Sequence, residues 1–159
     1  MFRYVFTAIG VIALDHIVKW LVASYMTIGQ QITVIPGVFG LASARNRGAA
    51  FSMLEGQQWL LITVTSAVLI GIILYMRKTY REKKMLSYGL AIIWGAAFGN
   101  FIDRVINGAV VDMFELKFVD FAIFNVADTF LWVGIGLILL DAWKESRPKR
   151  SSEASFKVQ

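Results

Sequence analysis

Any chemistry in this sequence rests on carboxylates, because few other reactive groups are present. The 159 residues include no cysteine and one histidine, His16. That removes thiolate metal sites and a cysteine nucleophile, and it leaves a Ser-His-Asp triad or a histidine-based zinc site very hard to assemble. Three aspartates stand beside apolar stretches: Asp103 in Gly99-Asn-Phe-Ile-Asp-Arg104, Asp112 in Val110-Val-Asp-Met113, and Asp128 in Ile123-Phe-Asn-Val-Ala-Asp-Thr129. Nothing basic lies within a helical turn of Asp128, so its partner has to come from elsewhere in the chain. Asp103 has Arg104 beside it and reads as a solvated or structural acid. Asp112 is flanked by Val110, Val111, Met113 and Phe114, a setting that solvates an ionised carboxyl poorly and raises its pKa. Two carboxyls held close together share a proton, so that one acts as base on a water while the other acts as acid toward a carbonyl. Such a pair needs no cysteine, histidine or metal. Spacing alone leaves a plainer alternative open, in which these aspartates are ion-pathway or packing residues.

A second ionisable pair, Asp15 and Lys19, is four positions apart and therefore on one face of a helix, within ion-pairing reach. A charge at mid-bilayer is unfavourable by about 2.5–3.5 kcal/mol on insertion scales, so each such residue requires a reason. A structural ion pair that helps helices associate supplies one. His16 faces another direction on the same helix and reads as a polar packing residue rather than a ligand.

The elements that must position these groups follow from composition. Hydrophobic residues make up 57% and charged residues 17%, with a mean hydropathy of +0.62; an average soluble domain has about 45–50% and about 25%. Four runs approach the roughly 20 apolar residues that a bilayer-crossing helix needs: Val5 to Met26, Trp59 to Met76, Met85 to Ile102, and Phe121 to Leu140. The first is too long and too charged for a signal-peptide h-region, so it stays in the mature chain. The formal charge is +5, and eleven of the sixteen Lys and Arg residues lie at Arg3, in Arg77 to Lys84, or from Lys144 onward. Short basic segments flanking apolar spans mark the cytoplasmic side, so both termini are expected there. The basicity reads as topology, and no nucleic-acid partner is expected.

The two remaining connections, Thr27 to Gln58 and Asp103 to Asp120, then face outward. Within the first, Gln30 to Ala44 alternates β-branched and polar residues around Pro36-Gly37, which predicts a small β-hairpin or sheet on the membrane surface. The fold class expected is therefore an all-α membrane protein, four transmembrane helices with a small extracytoplasmic hairpin or sheet between the first and second. Residues 1–143 form one domain. Residues 144–159 are polar and without period, and are expected to be a disordered cytoplasmic tail.

Taken in order, the local patterns resemble signal peptidase II, the lipoprotein signal peptidase of bacteria. The blocks are Asp15-x-x-x-Lys19, Arg45-Asn-x-Gly-Ala-Ala-Phe51, Gly99-Asn-x-x-Asp-Arg104, Val110-Val-Asp112 and Phe124-Asn-x-Ala-Asp128. Met113, Val18 and Trp94 depart from the residues common in that family, at positions that tolerate change. The resemblance implies an intramembrane aspartic endopeptidase with Asp112 and Asp128 as the catalytic pair and no cofactor or metal. Asn46, Asn100, Arg104 and Asn125 would contact the substrate or orient the pair, although Asn100 and Asn125 also suit helix caps. Asp15 and Lys19 would be supporting structure. The implied substrate is a diacylglyceryl-modified prolipoprotein, cut just before its lipidated cysteine near the outer face of the bacterial plasma membrane. By that reading Gly48, Ala49 and Ala50, with the hairpin, cradle the lipidated segment; Gly37, Gly40, Gly48 and Gly108 equally suit ordinary turns. Two alternatives from other classes remain at this stage: an ion or proton transporter that uses the buried carboxylates as relays, and a non-catalytic subunit that binds lipidated helices.

Overall fold

A computed structural model describes residues 1–49 and 53–147. Its elements run α1 (Phe2–Tyr25), β1 (Gln31–Ile35), β2 (Phe39–Asn46), α2 (Gln58–Thr79), α3 (Lys84–Asn107), β3 (Val110–Leu116) and α4 (Val126–Ser146). All four helices are long and apolar enough to cross a membrane. Large apolar side chains such as Phe6, Trp20, Trp132 and Leu139 point away from the bundle, which suits hydrocarbon and not water.

Where lipid is as apolar as leucine, close backbone approach replaces the hydrophobic effect as the force that holds helices together. The packing of α3 against α1 and α4 follows that rule. A Cβ on Gly95 would stand 2.7 Å from the Ala8 carbonyl oxygen of α1, and one on Gly89 would stand 2.9 Å from the Gly134 oxygen of α4. Gly99 is equally tight, 2.8 Å from Oδ2 of Asp15. α2 packs chiefly on α3, where Trp94 Nε1 donates to the Leu69 carbonyl at 3.1 Å.

The expected hairpin forms as β1 and β2, turning at Gly37 with φ +71°. It is incomplete by itself, for β3 adds to its inner edge and gives an antiparallel sheet in the order β1-β2-β3. Ala44 lies opposite Asp112 and Asn46 opposite Val110. Period-2 patterning did not single out Val110–Leu116 because its first four residues are all buried. Val111 and Met113 pack against Val22 near the end of α1.

Three boundaries differ from the expected ones. The third helix runs on to Asn107, where Gly108 adopts the left-handed conformation and donates its N–H to the Arg104 carbonyl, so Asp103 and Arg104 are helical and not part of a loop. The fourth helix begins at Val126, five residues later than Phe121, because Asn125 caps it. Phe124 ahead of that cap is bound to β3, its oxygen accepting from the N–H groups of Met113 and Phe114. α4 continues through Ser146, so Lys144, Glu145 and Ser146 of the expected tail are helical. Residues 148–159 of that tail, and Ala50 and Phe51 of the sequence block, lie outside the described residues.

The glycine contacts yield a matched test. A Cβ at position 134 would meet the Gly89 oxygen at 2.8 Å, whereas one at Gly136 would meet nothing within 4 Å. Gly134→Ala should lower the unfolding temperature in detergent by several degrees, consistent with the 1–3 kcal/mol typical of overpacking. Gly136→Ala should leave it unchanged or raise it. Thermal unfolding of the two purified variants checks the difference.

Candidate active site

The C-terminal ends of α1 and α3, the N-terminal end of α4 and the strand β3 converge beneath the sheet, and the polar residues singled out in the sequence meet there. Asn125 is the pivot. Its Oδ1 accepts the Asp128 backbone N–H at 3.0 Å, while Oδ2 of Asp128 accepts the Asn125 backbone N–H at 3.1 Å. This is a capping box, in which two otherwise unpaired donors of a helix start are satisfied reciprocally. With Oδ1 committed to the cap, the amide nitrogen has to face the other way. It donates to Asp112 Oδ1 at 2.6 Å and to Asn100 Oδ1 at 3.1 Å. One fully buried side chain therefore holds Asp112 and Asp128 within its own reach.

Asp112 is 2% exposed. Its second oxygen accepts from Asn46 Nδ2 at 3.0 Å, and Asn46 is fixed in turn by accepting the Gly48 N–H on its Oδ1. Burial pushes the Asp112 carboxyl up to about 6, and the neighbouring Asp128 charge pushes the same way; the hydrogen bonds from Asn125 and Asn46, and the more distant Lys19 cation, offset part of this. The apolar flanks read from the sequence thus have the effect expected of them.

A second polar layer lies beneath. Lys19 Nζ approaches Asp15 Oδ2 at 2.7 Å and Asp103 Oδ2 at 2.8 Å as ion pairs, and hydrogen-bonds Asn100 Oδ1 at 2.8 Å. Asn100 Nδ2 then donates to Asp128 Oδ1 at 3.0 Å. Asp15 Oδ1 accepts the Ala127 backbone N–H in the first turn of α4, where the helix dipole favours negative charge. His16 stands at the edge of this group, with Nδ1 3.1 Å from the Ile12 carbonyl oxygen of its own helix and 3.8 Å from Asp15 Oδ2.

Arg104 closes the site from the α3 side. Its Nη2 donates to the Gly48 carbonyl at 2.9 Å, whereas its buried Nε finds no acceptor among the described residues. A cavity of about 350 Å³ opens against these groups. Asp112, Asp128, Asn46, Asn100 and Arg104 line its polar end; Leu131, Trp132 and Ile135 of α4 line an apolar flank.

The eight residues to which the resemblance gives a catalytic, contacting or supporting role, Asp15, Lys19, Asn46, Asn100, Arg104, Asp112, Asn125 and Asp128, all fall in this region. Asp103, read from the sequence as solvated or structural, is buried and paired with Lys19. The sequence reading missed that Lys19 reaches beyond Asp15 to Asp103 and Asn100, contacts spanning more than eighty residues. A signal for the cap was present: Asn125 and Asp128 have the spacing of a capping box ahead of an apolar run.

The family model described as signal peptidase (SPase) II matches residues 7–144. A lipoprotein signal peptidase of Halalkalibacterium halodurans is 43% identical over 152 residues, covering 94% of this chain and 97% of that one. Another from Listeria monocytogenes is 46% identical over 150 residues, covering 92% and 96%. Among solved structures, one described as a bacterial membrane enzyme structure by the in meso method at 2.3 Å resolution superposes with a TM-score of 0.84 at 31% identity, covering 100% of this chain and 96% of that chain. A second so described, at 1.9 Å, gives 0.83 at 32% identity, covering 92% and 96%. The family and the two sequence relatives are described as signal peptidases, which sets aside the transporter and the non-catalytic subunit. The chain belongs to the signal peptidase II family, the lipoprotein signal peptidases, and is a multi-pass bacterial membrane protease.

Proposed function

We propose that Asp112 and Asp128 are the catalytic pair of an intramembrane aspartic endopeptidase, and that this protease removes the signal peptide from diacylglyceryl-modified prolipoproteins by direct attack of water. The observation that carries this reading is the single asparagine, Asn125, hydrogen-bonded at once to Asp112 and to Asp128 on the wall of the cavity. Asp112, more buried and flanked by neutral amides, holds the proton and polarises the scissile carbonyl. Asp128 is ionised and takes a proton from the attacking water, and no covalent intermediate forms. Arg104 and Asn46, both on the cavity wall, hold the carbonyls of the substrate backbone or of its lipid head region.

The two ends of the cavity wall suit the two parts of such a substrate. The apolar flank from Leu131 to Ile135 suits the signal-peptide helix, and the polar end suits the peptide just before the lipidated cysteine. Arg77 and Lys78 lie in the last turn of α2, at the end where Met76 packs with Tyr4 near the start of α1, so a cytoplasmic position for that end and for both termini puts the aspartates near the extracytoplasmic face. Membrane lipid is then a permanent neighbour, and no cofactor takes part.

Asp112→Asn and Asp128→Asn should each lower cleavage of a diacylglyceryl-prolipoprotein by about a thousandfold or more while the protein still inserts and folds. Release of the signal peptide by purified protein in detergent measures this, and near-normal turnover by either variant would remove that residue from the pair. The active form carries one proton on the pair. Raising the pH through about 6 strips it from Asp112, so kcat/KM should fall with rising pH above that value. A bound substrate displaces water and disfavours the doubly charged pair further, so the alkaline limb of kcat should lie at higher pH than that of kcat/KM. A kcat/KM that climbs steadily from pH 5 to 9 is incompatible with this.

A further inference from the structure

We propose that Lys19 is a positioning residue for the reaction: acting through Asn100, it fixes the negative charge of the aspartate pair on Asp128. The inference rests on the pair proposed above and adds a cation that touches neither member of it.

The geometry leaves Asn100 one orientation. An ammonium only donates, so the oxygen of Asn100 has to face Lys19, at 2.8 Å, and the same oxygen accepts from Asn125 Nδ2. The amide nitrogen is thereby turned to Asp128 Oδ1 at 3.0 Å. A cation bound to the carbonyl end of an amide polarises it and makes its N–H a stronger donor, and in a buried site such chains reinforce one another. Asp128 receives that strengthened donor on one oxygen and a backbone N–H of the α4 start on the other. Asp112 receives two amides, one of them Asn46, whose oxygen is bound by the Gly48 N–H and not by an ammonium. The two carboxyls therefore stand in unequal surroundings before substrate arrives.

The lysine is held for this task. Its ammonium lies within 2.8 Å of three oxygens, as ion pairs with Asp15 and Asp103 and as a hydrogen bond to Asn100, and it is 3% exposed. Asp15 is tied to the Ala127 N–H, two peptide bonds from the Asn125 cap, and Gly99 leaves the space that Asp15 occupies. The charged and titratable groups around Lys19 are Asp15 and His16 on α1, Asp103 and Arg104 on α3, Asp112 on β3 and Asp128 on α4. A buried ion pair alone would account for two of the three contacts; the third, to Asn100, leads to the cavity.

The test compares pH profiles of signal-peptide release for the unaltered protein, Lys19→Met, and the double variant Lys19→Met with Asp103→Asn. The double variant removes one positive and one negative charge, so the formal charge of the cluster is conserved and no carboxylate loses its only partner. Loss of the relay should move the acid limb of kcat/KM to higher pH by roughly half to one unit and lower kcat about tenfold or more, with KM changed less than about twofold. Should Lys19→Met fail to insert, the double variant is read alone. An acid limb that stays in place, whether or not the rate falls, overturns the relay and leaves Lys19 a packing residue. Asp128→Asn in the Lys19 background separates the two levels. Activity there defeats the aspartate pair itself, whereas inactivity with an unmoved limb in the lysine variants defeats only the relay.

Discussion

An amide group has one end that accepts and one that donates, and the interior of this protein depends on that asymmetry at a single residue. The cap of α4 claims the oxygen of Asn125. Its nitrogen is left for Asp112 and Asn100, and neither bond survives if the side chain is reversed. The side chain that caps the start of a membrane helix is therefore the same one that binds the aspartate of β3. Helix capping is ordinarily a matter of about one kilocalorie per mole of stability; here it also defines the geometry of a reactive pair.

That geometry survives in an apolar setting because the lysine, asparagine and aspartate side chains behind the pair are matched to partners of the right kind. Lys19 meets oxygens only, Asp15 meets a cation and a helix N-terminus, and Asn46 and Asn100 are each oriented by a donor they cannot mistake. Low dielectric strengthens such contacts and equally penalises any left unmade. The small residues of α3 serve the same end: without a side chain at Gly95 and Gly99, α1 comes close enough for Asp15 and Lys19 to reach between α3 and α4. Packing and electrostatics are thus one constraint in this bundle.

Much of this was legible in the residues. Run length and charge bias yielded four spans, and alternation around Pro36-Gly37 yielded the hairpin, because both are local properties. The apolar flanks of Asp112 announced a poorly solvated carboxyl, and its pKa lies near 6 accordingly. What stayed hidden is nonlocal. The membership of Val110–Leu116 in the sheet depends on pairing with a strand more than sixty residues earlier, and a strand buried on both faces has no alternation to reveal it. The start of α4 was placed too early because hydropathy continues unbroken through Phe121 to Phe124, whereas the backbone there is held by β3. Lys19 looked like half of an i,i+4 pair because its other partners lie on a different helix.

Whether Asp112 bears a proton can be observed without turnover, by infrared titration of the carboxyl stretch in purified protein with Asp112→Asn as reference. A resident proton gives a protonated-carboxyl band that vanishes as the pH rises, with a midpoint near 6, and that is missing from the Asp112→Asn spectrum. A titrating band that persists unchanged in Asp112→Asn, or the lack of any such band below pH 6, would mean that the pair does not hold its proton where the structure requires.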